Sequence, residues 1–305
     1  MLQYLARRVA GGAVALLAAS AVVFLLLRLA GDPLELLVPP DASAADVEAM
    51  RRTLGLDRSW LEQYGAFLAA ALRGDLGTSF YHGVPALGLV LERLPATLEL
   101  ILAAMAFSLV VAIPAGVVAA RRPGSLADRL ARGVSLLGIS APPFWIAIML
   151  ILVFAVELRW LPSSGRGSLD HLVLPAFSLA LYRVALFTRL VRAGMVEALS
   201  QDYVRTARAK GVSERRLLYR HALKNTLIPV VTLAGLQMGS LFAGAIVTER
   251  IFAWPGMGRL ILDAITKLDY PVVVAWALVV AAGFVTVNLI VDCLYSLVDP
   301  RVRLG

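Results

Sequence analysis

Five stretches of the chain run for nineteen residues or more without an Asp, Glu, Lys or Arg: Val9–Leu27, Leu100–Ala120, Gly133–Val156, Asn225–Thr248 and Tyr270–Val291. A helix rises about 1.5 Å per residue, so roughly 20 residues cross the ~30 Å hydrocarbon layer of a bilayer. Each run is therefore read as one span. A sixth is expected over Leu172–Val191, interrupted by Arg183 and, near its end, by Arg189. The pattern predicts an all-α membrane protein with six transmembrane helices.

The segments between the runs carry their own periodicities. After the first run, Asp32–Pro33 and Pro39–Pro40 break the chain. Ala44–Thr53 reads as a short polar helix. Ser59–Arg73 reads as an amphipathic one, with Leu61, Tyr64, Leu68 and Leu72 at helical spacing, laid at the interface and packed on the membrane domain. Gly74–Ser79 is a turn. This divides the chain into residues 1–96, a first helix plus an external segment, and 97–305, which holds the other five helices. Between the fourth and fifth runs, a helix is expected to continue to Leu199 and to be followed by Asp202–Arg216. There Gly211 is a helix C-terminus and Ser213 the N-cap of the next helix. Thr206, Ala207 and Ala209 give this element a small-residue face that another protein can approach closely. A basic loop resting on anionic lipid is the plainer reading. Phe252–Gly258 is a rigid, aromatic, glycine-punctuated turn leading into an amphipathic helix over Arg259–Lys267. Trp254 there is either an anchor at the membrane interface or part of the mouth of a pathway. Gly235–Gly239 presents a small-xxx-small face for helix packing.

Composition agrees with lipid as the solvent. Of 305 residues, 59% are hydrophobic and 16% charged, with mean hydropathy +0.79. An ordinary globular chain has roughly 45–50% apolar and about 25% charged residues, and a core of this size cannot hide the excess. The net charge of +8 would suggest nucleic acid in a soluble protein, but the positions of the charges argue otherwise. Seventeen Lys and Arg fall on the two termini and the second and fourth connections, against five on the third and fifth. The asymmetry predicts cytoplasmic N and C termini and explains the positive balance by topology, with no nucleic-acid partner. The long first connection, with nine acidic residues, weighs little because long segments cross largely regardless of charge. Arg7–Arg8 before an apolar run resembles a secretory leader, yet the run exceeds the usual h-region of roughly 7–15 residues, so an uncleaved helix is expected.

Catalytic chemistry is hard to find. The dipeptide Gly-Lys never occurs, so no P-loop exists. His82, His171 and His221 lie far apart, and Cys293 is the single cysteine. Neither G-x-S-x-G nor H-E-x-x-H is present. Within the spans the charged residues are Arg183 and Asp292. Asp292 is expected to pair with a neighbouring helix. Arg183 is expected to face the bundle or a wet pathway, because a lone cation cannot sit in lipid. With so few acids inside, the chain is not expected to energise transport by itself.

Several ordered segments carry a resemblance. Tyr4–Arg8, Arg28–Pro33, Leu54–Asp57, Gly74–Ser79, Arg93–Glu99, Asp202–Gly211, Phe252–Gly256, Asn288–Asp292 and Asp299–Arg303 resemble, nearly end to end, the permease subunits of ABC importers for dipeptides, oligopeptides and nickel. The resemblance implies a bacterial inner-membrane subunit that works with a homologous second permease, two cytoplasmic ATPases that bind ATP-Mg, and an extracytoplasmic solute-binding protein. It implies no catalytic residue, metal or cofactor of its own. Importer permeases carry a cytoplasmic loop patterned Glu-Ala-Ala-x-x-x-Gly that fits a cleft on the ATPase. Here the pattern falls on Arg205-Thr206-Ala207 and Gly211, with arginine in place of the glutamate. The ATPase-coupling residues implied are Tyr203, Arg205, Thr206, Ala207, Lys210, Gly211, Arg215 and Arg216. Arg183, Trp254, Pro255, Gly256 and Arg259 are candidates for the pathway or its gate. Di- and oligopeptides lead as cargo, with nickel, glutathione or another small solute as alternatives. A non-transporting membrane anchor is the alternative of another class.

Overall fold

A computed structural model describes residues 2–30, 43–53 and 56–298. The segments Arg28–Pro33, Leu54–Asp57 and Asp299–Arg303, quoted for the resemblance, fall partly or wholly outside the described residues, as do the side chains of Asp292 and Cys293. The described chain is almost entirely helical: α1 (Leu2–Ala30), α2 (Ala44–Thr53), α3 (Trp60–Ala71), α4 (Ala86–Arg121), α5 (Leu126–Ser140), α6 (Pro143–Leu150), α7 (Leu169–Ser200), α8 (Asp202–Ala209), α9 (Glu214–Arg216), α10 (Leu223–Ile251), α11 (Met257–Thr266) and α12 (Tyr270–Val298). Wide π-helical turns extend α6 over Ile151–Glu157 and link α9 to α10 over Leu217–Ala222. Among the described residues five helices are long and apolar enough to cross a membrane, or six when the bent pair Leu126–Ser140 and Pro143–Glu157 is counted as one span.

The run Gly133–Val156, expected as one span, is bent between α5 and α6. The two halves meet at 104°. Ala141 and Pro142 adopt extended backbone. Proline disfavours α conformation in the residue before it and gives no N–H to the preceding turn. Pro143 then starts the next helix, where its fixed φ is suited. The fourth crossing and its expected continuation to Leu199 form one unbroken helix: α7 runs from Leu169 to Ser200 despite Pro175 and Arg183.

The chain forms two compact units, Met1–Leu94 with Leu260–Thr286, and Pro95–Arg259 with Val287–Gly305. In the first, α3 lies against α1. Ser59 caps α3 reciprocally with Glu62, and the Ser59 hydroxyl bond is the largest influence holding the Glu62 carboxyl below its usual range. Tyr64 Oη bonds Leu17 O (3.1 Å) and Ser20 Oγ (2.8 Å), and Phe24, Tyr64 and Phe67 stack their rings. The packed face is therefore Gln63, Tyr64, Phe67 and Leu68, while Leu61 and Leu72, at the helix ends, are exposed. The predicted apolar stripe is shifted toward the aromatic residues that find partners on α1.

In the second unit α7 is the central rod, with α5, α6 and α10 packed on it. Phe187, Val191 and Met195 of α7 are fully buried. Helices approach closely where a side chain is absent: a Cβ on Gly116 of α4 would lie 2.7 Å from Val191, and one on Gly194 would lie 2.7 Å from Thr226 of α10. Small residues at such crossings give van der Waals packing where no hydrophobic drive separates helix from lipid. Asp128 near the start of α5 is fully buried. It accepts from Gly124 N (2.8 Å), is bonded by Arg192 of α7 and stands 3.5 Å from Arg132.

Candidate functional site

The segment between α7 and α10 folds as a helix-turn-helix on the surface of the second unit. Val204 is the one buried residue of α8 and pins it inward. Tyr203, Arg205, Thr206, Arg208, Ala209, Lys210 and Gly211 are exposed on the other side. The turn closes α8 by a paired backbone cap. Val212 N donates to Ala207 O (3.2 Å) and Gly211 N to Arg208 O (2.9 Å), with Gly211 at φ +77°. This is the Schellman arrangement, which requires a left-handed residue at that position. Arg208 Nε then bonds Glu214 Oε1 at 2.9 Å across the turn. Arg205 stands 3.5 Å from Asp202, Thr206 Oγ1 donates to Asp202 O (3.0 Å), and Asn225 Nδ2 donates to Tyr203 Oη (3.3 Å). Arg215 and Arg216 are exposed on α9. The predicted coupling residues thus share one short, rigid, basic element. Ser213 sits at the predicted N-cap position, but its side chain makes no capping bond.

A second cluster forms around a residue that sequence reading passed over. Glu249, at the end of α10, is fully buried. Its Oε1 accepts from Thr97 Oγ1 (2.6 Å), and its Oε2 from Gly258 N (2.6 Å) and Arg259 N (3.1 Å). Thr97 Oγ1 accepts in turn from Met257 N (2.8 Å). Three orphan donors at the start of α11 are thereby satisfied by side chains from other helices. Side chains at Gly256 and Gly258 are excluded: a Cβ on Gly256 would collide with the Glu249 carboxyl, and one on Gly258 would lie 2.5 Å from Ile246 Cα. Trp254 is 1% exposed and donates from Nε1 to Ala96 O (2.8 Å), so it is a packed residue of this turn and not a surface anchor. Arg166 lies over its ring and pairs with Glu99 at 2.6 Å. Of the predicted gate residues, Trp254, Pro255, Gly256 and Arg259 therefore belong to one clamp.

Arg183 stands apart from it. Buried on α7, it donates from Nη1 to Leu179 O and from Nη2 to Ser240 Oγ, each at 2.9 Å. In the first unit, buried Asp269 accepts from Ser79 Oγ and from Phe80 N (3.1 Å), which locks the Gly74–Ser79 turn. Lys267 Nζ sits 3.2 Å from the centre of the Tyr81 ring. Glu249, Thr97, Asp269 and Asp128 were not singled out by the sequence. The glycine-punctuated Phe252–Gly258 turn pointed to the clamp, but nothing in its sequence marked Glu249. Among the described residues no group of three or more His, Cys, Asp or Glu side chains is placed to hold a metal.

Comparison with known proteins gives concordant matches. Residues 112–304 match the family model described as "Binding-protein-dependent transport system inner membrane component", and residues 1–101 match its companion N-terminal model. The glutathione transport system permease protein GsiC of Escherichia coli O6:H1 is 41% identical over 304 residues, covering 99% of both chains. The proteins of the same name from Escherichia coli K12 and Shigella dysenteriae serotype 1 are each 40% identical over the same span. Among solved structures, the MetNI methionine ABC transporter in inward facing conformations matches with TM-score 0.56 and 17% identity, covering 69% of this chain and 96% of that one. That likeness concerns the fold.

Proposed function

The chain belongs to the family of binding-protein-dependent transport system inner membrane components, as a permease subunit of an ABC importer, and from that premise we propose that it forms half of an import pathway for glutathione. Glutathione is a tripeptide, so this narrows the expected class of di- and oligopeptides. The observation that carries the reading is identity of 40–41% to glutathione permeases over 99% of both chains.

The working unit is this chain with a homologous second permease, two ATPases on the cytoplasmic side and an extracytoplasmic binding protein. Lys and Arg asymmetry supports cytoplasmic termini and a cytoplasmic α8–α9 element. ATP can shift the permease between inward- and outward-facing states only through contacts that differ between them. The exposed Tyr203–Arg216 element, stiffened by the Gly211 cap and the Arg208–Glu214 pair, is suited to take that push without deforming. Trp254, Pro255, Gly256 and Arg259 act with Glu249 as a rigid corner beside the pathway.

The reading is tested by reconstituting the chain with its neighbouring subunits in proteoliposomes. Expected is ATP-dependent uptake of labelled glutathione that requires the loaded binding protein. Uptake of nickel with none of glutathione would overturn the cargo, and no ATP-dependent uptake of any peptide would overturn the import function.

A further inference from the structure

Among the described side chains, no carboxylate meets the charge of Arg183. The residue is 6% exposed, at the middle of a crossing helix. Its two bonds go to neutral acceptors, Leu179 O and Ser240 Oγ, and its Nε has no partner. Among the described residues no carboxylate stands within ion-pairing distance. Among the described residues of the second unit, the buried acids are engaged elsewhere, Glu249 with the start of α11 and Asp128 with Arg192. A buried cation without a counter-charge costs several kcal/mol in this setting.

The route to it is visible on α10. Leu236, Ser240, Ala243 and Val247 recur at helical spacing, and all are exposed. Ser240 is the polar member of that stripe. Its hydroxyl accepts from Arg183 Nη2 and reaches Gln237 O and Oε1, both at 2.9 Å. A guanidinium one hydroxyl behind an uncovered helix face, in the middle of a charge-free run, is incompatible with that face lying in acyl chains. It is compatible with a wet pathway.

Resting on the glutathione reading above, we propose that Arg183, Ser240 and Gln237 form a carboxylate-binding station on the pathway wall at mid-membrane. Glutathione brings two carboxylates. One of them, displacing the Ser240 hydroxyl from Nη2, supplies the missing counter-charge, and the planar fork of arginine suits a carboxylate better than a point charge. The hydroxyl and the Gln237 amide then bond the same group or its neighbouring peptide.

The test uses the full complex in proteoliposomes, with Arg183→Gln, Arg183→Lys and Ser240→Ala, at saturating glutathione-loaded binding protein. Expected are stoichiometric co-purification of every variant with its partner subunits and a glutathione turnover at least tenfold lower for Arg183→Gln. Arg183→Lys should lose less, about threefold, and Ser240→Ala should fall between wild type and Arg183→Gln. The concentration of loaded binding protein giving half-maximal uptake should stay unchanged, because the station acts after delivery. Wild-type turnover in Arg183→Gln would overturn the station. So would failure of Arg183→Gln, but not Arg183→Lys, to hold the partner permease, because the counter-charge would then be a partner's carboxylate. Loss of assembly in both would assign Arg183 a structural role. Wild-type particles that import no glutathione would overturn the cargo reading itself, a result distinguishable from equal import by wild type and Arg183→Gln.

Discussion

Glu249 shows how one side chain organises a turn that composition cannot reveal. Its two oxygens serve different donors: Oε1 takes the Thr97 hydroxyl, and Oε2 takes two backbone N–H groups of α11. A glutamine keeps an oxygen for the backbone pair and turns its amide toward Thr97 Oγ1, which can accept once its own proton rotates away. Glu249→Gln should therefore lose only the charge–dipole part of the interaction, about 0.3–1 kcal/mol. Glu249→Ala leaves buried donors unmet at about 1–3 kcal/mol each. Thermal unfolding in detergent, followed through tryptophan fluorescence, should rank them in that order. Equal losses would show that charge, and not acceptor geometry, holds the clamp. The residue escaped sequence reading because it closes a charge-free run and so looks like the end of a span. Arg183 was legible as an oddity for the opposite reason, since it interrupts one.

For the helical elements, most of what periodicity and capping rules predict is present, and the departures have local causes. The helix–glycine–helix layout over Asp202–Arg216 was readable because Gly211 is where a left-handed residue closes α8. No atom lies within 4 Å of a Cβ built on Gly211, so alanine there meets backbone strain alone, about 1–2 kcal/mol. Proline both forbids φ near +77° and removes the N–H that bonds Arg208 O. Gly211→Ala should retain most of the ATPase stimulation by loaded binding protein. Gly211→Pro should lower it at least tenfold while the subunit still inserts. Unimpaired stimulation in Gly211→Pro would remove α8–α9 from the coupling path. The bend within the third span was not foreseen because a count of charges is blind to backbone, although Pro142–Pro143 stood in the sequence. The α3 stripe was displaced because spacing counts leucines equally, whereas Tyr64 and Phe67 had specific partners on α1.

On the scale of the whole molecule, orientation rests on the distribution of Lys and Arg. With Cys293 replaced by serine, Leu61→Cys on exposed α3 should react with a membrane-impermeant maleimide in intact cells, whereas Lys210→Cys should react only in inverted vesicles. The reverse pattern would invert the topology and detach the basic element from any cytoplasmic motor. The number of crossings was legible because lipid imposes a length and a purity that sequence displays directly. The buried bonds of Glu249 to Thr97 and of Asp269 to Ser79 were not, because they join residues 152 and 190 positions apart. The 104° corner at Ala141–Pro143 has its own effect on the surroundings. Pro142 and Pro143 have no N–H to offer the carbonyls of Gly138 and Ile139, which normally receive one from the next turn. Hydrocarbon has nothing to give such oxygens, so a donor from protein or solvent is expected at this bend.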